Sequence, residues 1–180
     1  MLTLFGKKKL TEEKAANIFV NATQRLIDEG FESVAAIIND SSEFVQRPKV
    51  NSEDVGPFAL IVIAGNLQNV PAHFDAGQDK RVAQHILDKF ADIYEIDNMR
   101  LAEMVSETRK LMMRKNHPSK NVPTAMAKAL FCKYGLNSHQ EAYFKTLQAP
   151  NPIFIQRLRE AMETFLWDWD SFLQRYKLTA

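Results

Sequence analysis

Apolar positions recur along this chain at steps of three and four, the spacing that puts residues on one side of an α-helix turning ~100° per residue. The longest such stripe is the last. From Pro152 to Lys177, Ile155, Leu158, Met162, Phe165, Trp169, Phe172 and Tyr176 fall in line, Phe154, Leu166 and Leu173 widen the band, and Gln156, Glu160, Glu163, Ser171 and Gln174 occupy the opposite side. One helix of about seven turns is predicted there, capped by Asn151 after the breaks at Pro150 and Pro152. Trp167 stands among its polar residues and needs either a cover or a partner.

The same reading predicts seven more helices. Thr11, with Glu12 and Glu13, caps a first helix that carries Ile18, Phe19, Ala22, Leu26 and Ile27 up to Gly30. A short second one spans Phe31 to Asn39, and a loop follows to Gly56. Pro57 opens a buried helix through Asn69. Its β-branched Ile61-Val-Ile63 leaves a strand paired with Phe44 to Val50 as the alternative. Asp75 with Gln78 forms a capping box for a helix to Glu95, and Asp97 caps the next, with Leu101, Met104, Val105, Thr108, Leu111 and Met112 inside. Pro123 to Tyr134 ends at Gly135, and Ser138 with Glu141 opens a short helix to Gln148. The fold class is therefore all-α: a single-domain bundle of about eight helices over residues 11–180 with a long C-terminal helix, preceded by a flexible segment, 1–10.

Bulk properties narrow the classes. A chain of 180 residues, 46% hydrophobic and 25% charged, suits one core that buries roughly 70% of the unfolded surface without covalent staples. Cys132 is the sole cysteine, which fits a reducing, cytoplasmic location. The lysines after Met1 to Phe5 reverse the order of an export signal, and Leu2, Leu4 and Phe5 offer a lipid surface too little area. The longest apolar run, Phe58 to Ala64, has seven residues where a bilayer span needs ~20, so no transmembrane segment is expected.

Candidate chemistry is sparse. No acidic residue lies between Glu107 and Glu141, whereas Arg109, Lys110, Arg114, Lys115, Lys120, Lys128 and Lys133 do, with His117 beside them. Arg109, Lys110, Arg114, Lys115, His117 and Lys120 form a candidate anion-binding set, diluted by a net charge of only +1 and by the affinity of cations for helix carboxyl ends. The helix–Gly135–helix arrangement departs from a DNA-binding helix-turn-helix, since Phe131 stands where a small residue is needed. His85, Asp88 and Asp92 share a helix face with Arg81, which marks a salt-bridged surface rather than a metal site. No Gly-x-Ser-x-Gly elbow, phosphate loop, His-Glu-x-x-His pair or dinucleotide fingerprint occurs, and no catalytic residue, metal or cofactor is assigned.

The favoured expectation is a non-enzymatic protein-interaction or regulatory module that contacts a partner, or a second copy of itself, through Trp167, Asp168 and Asp170. A polyanion or nucleic-acid binder using the basic 109–133 stretch is the alternative, and a helical enzyme without a recognisable motif comes third.

Overall fold

Thr11 accepts a hydrogen bond from the Lys14 amide at 3.2 Å and so starts the helix expected there. That helix, α1 (Glu12–Asn39), does not stop at Gly30. In this computed structural model, which describes residues 6–180, Gly30 lies mid-helix because the Phe165 ring crosses it. A Cβ at this position would sit 2.6 Å from Phe165 Cε1. The glycine is there for close approach, not for termination. The two helices expected over 11–39 are consequently one, and its inner face runs through Ala15, Phe19, Thr23, Ile27, Phe31 and Val34, leaving Ile18 and Leu26 toward solvent.

α2 (Val55–Asn69) is helical throughout, so the strand alternative for Ile61-Val-Ile63 does not hold. Every residue from Ile61 to Leu67 is buried, and tertiary packing on all sides overrides the local β preference. The wider segment Ser52–Ala72, 21 residues, is long and apolar enough to cross a membrane by length and composition alone; 56% of its most apolar window is buried inside the fold. The seven-residue run understated it because Gly, Asn and Gln interrupt the apolar residues without adding charge.

α3 (Gln78–Tyr94) starts two residues later than a capping box at Asp75 would place it. Gly77 precedes it at φ 94°, and Asp75 contributes its carbonyl, which accepts from the Gln78 and Asp79 amides. α4 (Asn98–Asn116) is capped by Asp97 and α5 (Val122–Lys133) by Asn121, whose Oδ1 accepts from the Thr124 amide at 2.8 Å. Gly135, at φ 63°, turns the chain after α5 as expected. Ser138 falls in the 3-10 turn Leu136–His139, and α6 (Ala142–Leu147) begins after Glu141 with no side-chain cap.

The long C-terminal helix is the main correction. α7 (Pro152–Glu163), capped by Asn151, and α8 (Trp169–Arg175) are separate, joined by a turn over 164–168. Asn66, buried in α2, holds that turn: its Nδ2 donates to the Phe165 carbonyl at 2.8 Å and its Oδ1 accepts from the Trp167 amide at 2.8 Å. The two backbone groups that lose helical partners are thereby satisfied. Phe154, Leu158, Met162, Phe165, Trp169 and Phe172 are buried all the same, so the stripe is read correctly even though the rod is not. The count of eight helices among the described residues agrees only because one fusion and one break cancel.

β1 (Lys8–Thr11) and β2 (Tyr176–Thr179) pair in parallel, Lys8 opposite Tyr176 and Thr11 opposite Thr179. Leu10 and Leu178 pack against the core from this ribbon, so the segment expected to be flexible up to residue 10 is ordered from Lys8; Leu2, Leu4 and Phe5 lie outside the described residues. Helix α1 packs along α3, α5 along α7, and α2 lies centrally against α4 and α5.

A nearly buried carboxylate ties α1 to α3. Glu12 is 3% exposed and takes a two-pronged contact from Arg81, Nε to Oε2 and Nη2 to Oε1, both 2.8 Å, with Gln78 donating at 3.1 Å. The Arg81 hydrogen bonds hold its carboxyl below the ordinary 4.5 despite the opposing effect of burial. A depressed folded value means that this contribution is complete above the unfolded value near 4.5 and is lost as pH falls through the lower folded one. Glu12→Gln is therefore expected to lower stability at neutral pH and to flatten the acid limb of a urea-unfolding series between about pH 5 and 3. An unchanged acid limb would assign it to Glu43, held low by Ser41 and Arg157.

Candidate functional site

The basic stretch does not form one surface. At ~100° per residue, Lys110 and Arg114 share a face of α4, while Arg109 and Lys115 point away from it on either side. Arg109 lies by Asp79 and Lys80, and Lys110 by Glu103 and Glu107. Arg114, His117 and Lys120 are exposed, the last two in the loop after α4. Lys115, in contrast, lines a concavity with two other cations and no acidic residue. There it meets Lys128 of α5 and Lys145 of α6 around a groove of about 620 Å³.

Local capping builds the walls of this groove. Asn116, buried at the end of α4, donates to the Ser119 and Asn121 carbonyls and turns the chain into α5. Beyond α5, the buried Gln140 donates to Asn137 Oδ1 and the Ala149 carbonyl and accepts from the Asn151 amide at 2.7 Å. Asn137 donates in turn to the Lys145 carbonyl at 3.2 Å. These bonds fasten the 135–151 segment, including α6, beside α5. Phe131 and Pro150 give the groove apolar wall, and the exposed Cys132 thiol lies along it.

Electrostatically the groove is one-sided. Among the described residues, none of Lys115, Lys128 and Lys145 has a carboxylate within salt-bridge distance. Lys128 was within reach of sequence reasoning as part of the acid-free window; Lys145 was not, because Glu141 separates it from that window and only the Gly135 turn folds it back. On the far side of α5, Tyr134 donates to the Asp54 carbonyl at 2.6 Å, and burial pushes its hydroxyl up to about 12. It remains a donor across the physiological range.

α6 adds an apolar surface. None of its residues is buried, and Tyr143 and Leu147, four apart on one face, are 68% and 56% exposed.

Of the three residues expected to meet a partner, Asp168 and Asp170 are exposed and Trp167 is not. Trp167 is half-buried, edge-on to Phe19 at 5.8 Å and 6.1 Å from Trp169, and its ring N–H is enclosed without an acceptor. Asp168 caps α8, accepting from the Ser171 hydroxyl at 2.6 Å and amide at 2.9 Å, and these bonds hold its carboxyl below the usual range. Asp170 pairs with His73 Nδ1 at 3.0 Å. Asp88 accepts from Gln84 and Asn98, contacts that serve the α3–α4 corner.

Comparison with protein-family models, with curated proteins and with solved structures finds no match to this chain. Fold and groove define a helical protein with a cationic, partly apolar concavity.

Proposed function

We propose that this chain is a non-enzymatic interaction module that docks an acidic, apolar-studded segment of a partner protein in the groove between α4, α5 and α6. The observation that carries this reading is the convergence of Lys115, Lys128 and Lys145, without carboxylates to answer them, beside a helix that buries nothing. The apolar wall of Phe131, Ala149 and Pro150 and the cations beside it, with no carboxylate in salt-bridge range among the described residues, are the two halves of a docking surface: the first supplies area, the second orientation and encounter rate. A single continuous core from Ala15 to Phe172 supports residues 11–180 acting as one domain, and the lone exposed Cys132 suits a reducing cytoplasm.

The test is fluorescence anisotropy with a labelled peptide of alternating glutamate and leucine, alongside a single-stranded oligonucleotide. The peptide is expected to bind saturably, and joint replacement of Lys115, Lys128 and Lys145 by glutamate to weaken it roughly tenfold or more, that is about 1.4 kcal/mol or more. Oligonucleotide binding without peptide binding would transfer the groove to the polyanion reading. Failure to bind either would overturn the proposal, as would light scattering that shows a dimer abolished by the lysine replacements, since a second copy would then be the occupant.

A further inference from the structure

A second concavity, about 340 Å³, opens where the start of α2 meets the α3–α4 corner and the end of α5, and it shares no residue with the lysine groove. Leu60, Ile63, Leu101 and Met104 give it aliphatic walls, and Tyr94 closes one side. The Tyr94 hydroxyl is already committed, donating to Gln24 Oε1 at 2.8 Å, so the ring brings apolar surface without a free polar tip. Lys133 is the one charged residue of the lining. It is exposed, with no carboxylate in salt-bridge range among the described residues. The acidic side chain two residues before Gly56, Asp54, is occupied by the Asn51 amide at 2.9 Å.

Water in an open concavity with almost wholly apolar walls finds few polar partners there, so an apolar ligand that displaces it gains the burial of that wall. An apolar pocket of this size with one cation at its edge is matched to a ligand of the opposite construction. We propose that it binds a medium-chain aliphatic carboxylate, the chain among Leu60, Ile63, Leu101 and Met104 and the carboxylate on the Lys133 ammonium. Two features set the class. The volume lies near the lower end of the ligand-pocket range of roughly 300–1,000 Å³, too small for a diacyl lipid. The walls are aliphatic and include a methionine able to adapt to a flexible chain, whereas a stacked aromatic ligand would call for more than the single Tyr94 ring.

Decanoate and decanol are the probes, followed by calorimetry and by methyl NMR of the full chain. Decanoate is expected to bind saturably and to shift the Ile63 and Met104 methyl signals. Lys133→Met should weaken decanoate roughly tenfold or more and leave decanol unchanged; Leu60→Trp should exclude both. Should Leu60→Trp fail to fold, the wild-type methyl shifts and the Lys133→Met difference still decide. No binding by the wild-type chain, or binding that leaves the Ile63 and Met104 signals in place, overturns the proposal. The lysine-groove variants leave this pocket untouched, so either idea can fail without the other.

Discussion

Trp169→Ala is expected to destabilise the protein by about 3–5 kcal/mol, the range for deleting a fully buried large aromatic side chain. For a chain of this length that corresponds to a fall in Tm of roughly 6–20 °C. Trp169 is 1% exposed, stacks on Phe19 at 5.3 Å, meets Phe74 edge-on at 4.9 Å and lies 5.7 Å from Phe172. Removing it empties a site walled by α1, α8 and the 3-10 turn Val70–Ala72 with its following residues, none free to collapse inward without dragging a helix. Trp169→Phe should cost much less. It keeps an aromatic six-membered ring at the site, and it deletes an indole N–H that is enclosed without an acceptor among the described residues. Thermal unfolding followed by circular dichroism would rank the two. If phenylalanine proved as damaging as alanine, the N–H would have a partner, such as an enclosed water, and the site would be polar where the contacts describe it as apolar.

Asn66→Leu is the second large effect. It removes one side chain of nearly equal bulk and strands the Phe165 carbonyl and the Trp167 amide at once, at about 1–3 kcal/mol for each buried group left unpaired. The loss should have a location as well as a size. Hydrogen exchange is expected to accelerate first over 164–175 and then in β2, while α2, α4 and α5 remain protected. Uniform acceleration would mean that Asn66 supports the whole core and not this turn. Asn66→Asp keeps the acceptor for Trp167 but sets a buried, unpaired carboxylate against the Phe165 carbonyl, and at neutral pH should cost at least as much as Asn66→Leu.

These two residues also explain what could be read in the chain and what could not. Local grammar was legible. Thr11, Asp97 and Asn151 cap helices as their positions indicate, and Gly135 turns the chain as a left-handed terminator does. Burial along 154–172 was legible as well, because periodicity reports which residues face inward whether or not the helix is continuous. The break at 164–168 was not, since its backbone is satisfied by a side chain 99 residues distant. The chain held two hints. Asn66 is an amide set within the apolar run of α2, and Asp168 with Ser171 has the spacing of a cap and its first turn.

Gly30 misled for the opposite reason: a glycine signals freedom locally, and only the Phe165 ring shows that the missing methyl is needed for room. Helix geometry likewise undid the basic stretch, because cations that are neighbours in sequence diverge around α4. The groove was assembled by a turn that brings Lys145 back to Lys115 and Lys128. Of the anion set drawn from the sequence, Lys115 alone lines that groove.

The parallel pairing of Lys8–Thr11 with Tyr176–Thr179 has a mechanical consequence. Traction on the residues before Lys8 and after Thr179 pulls the two strands past one another lengthwise, so their crosslinks resist together instead of parting one by one like a zip. The ribbon is a clasp that shields the helices from tension. In a force-extension trace it should yield in a single event before any helix unravels.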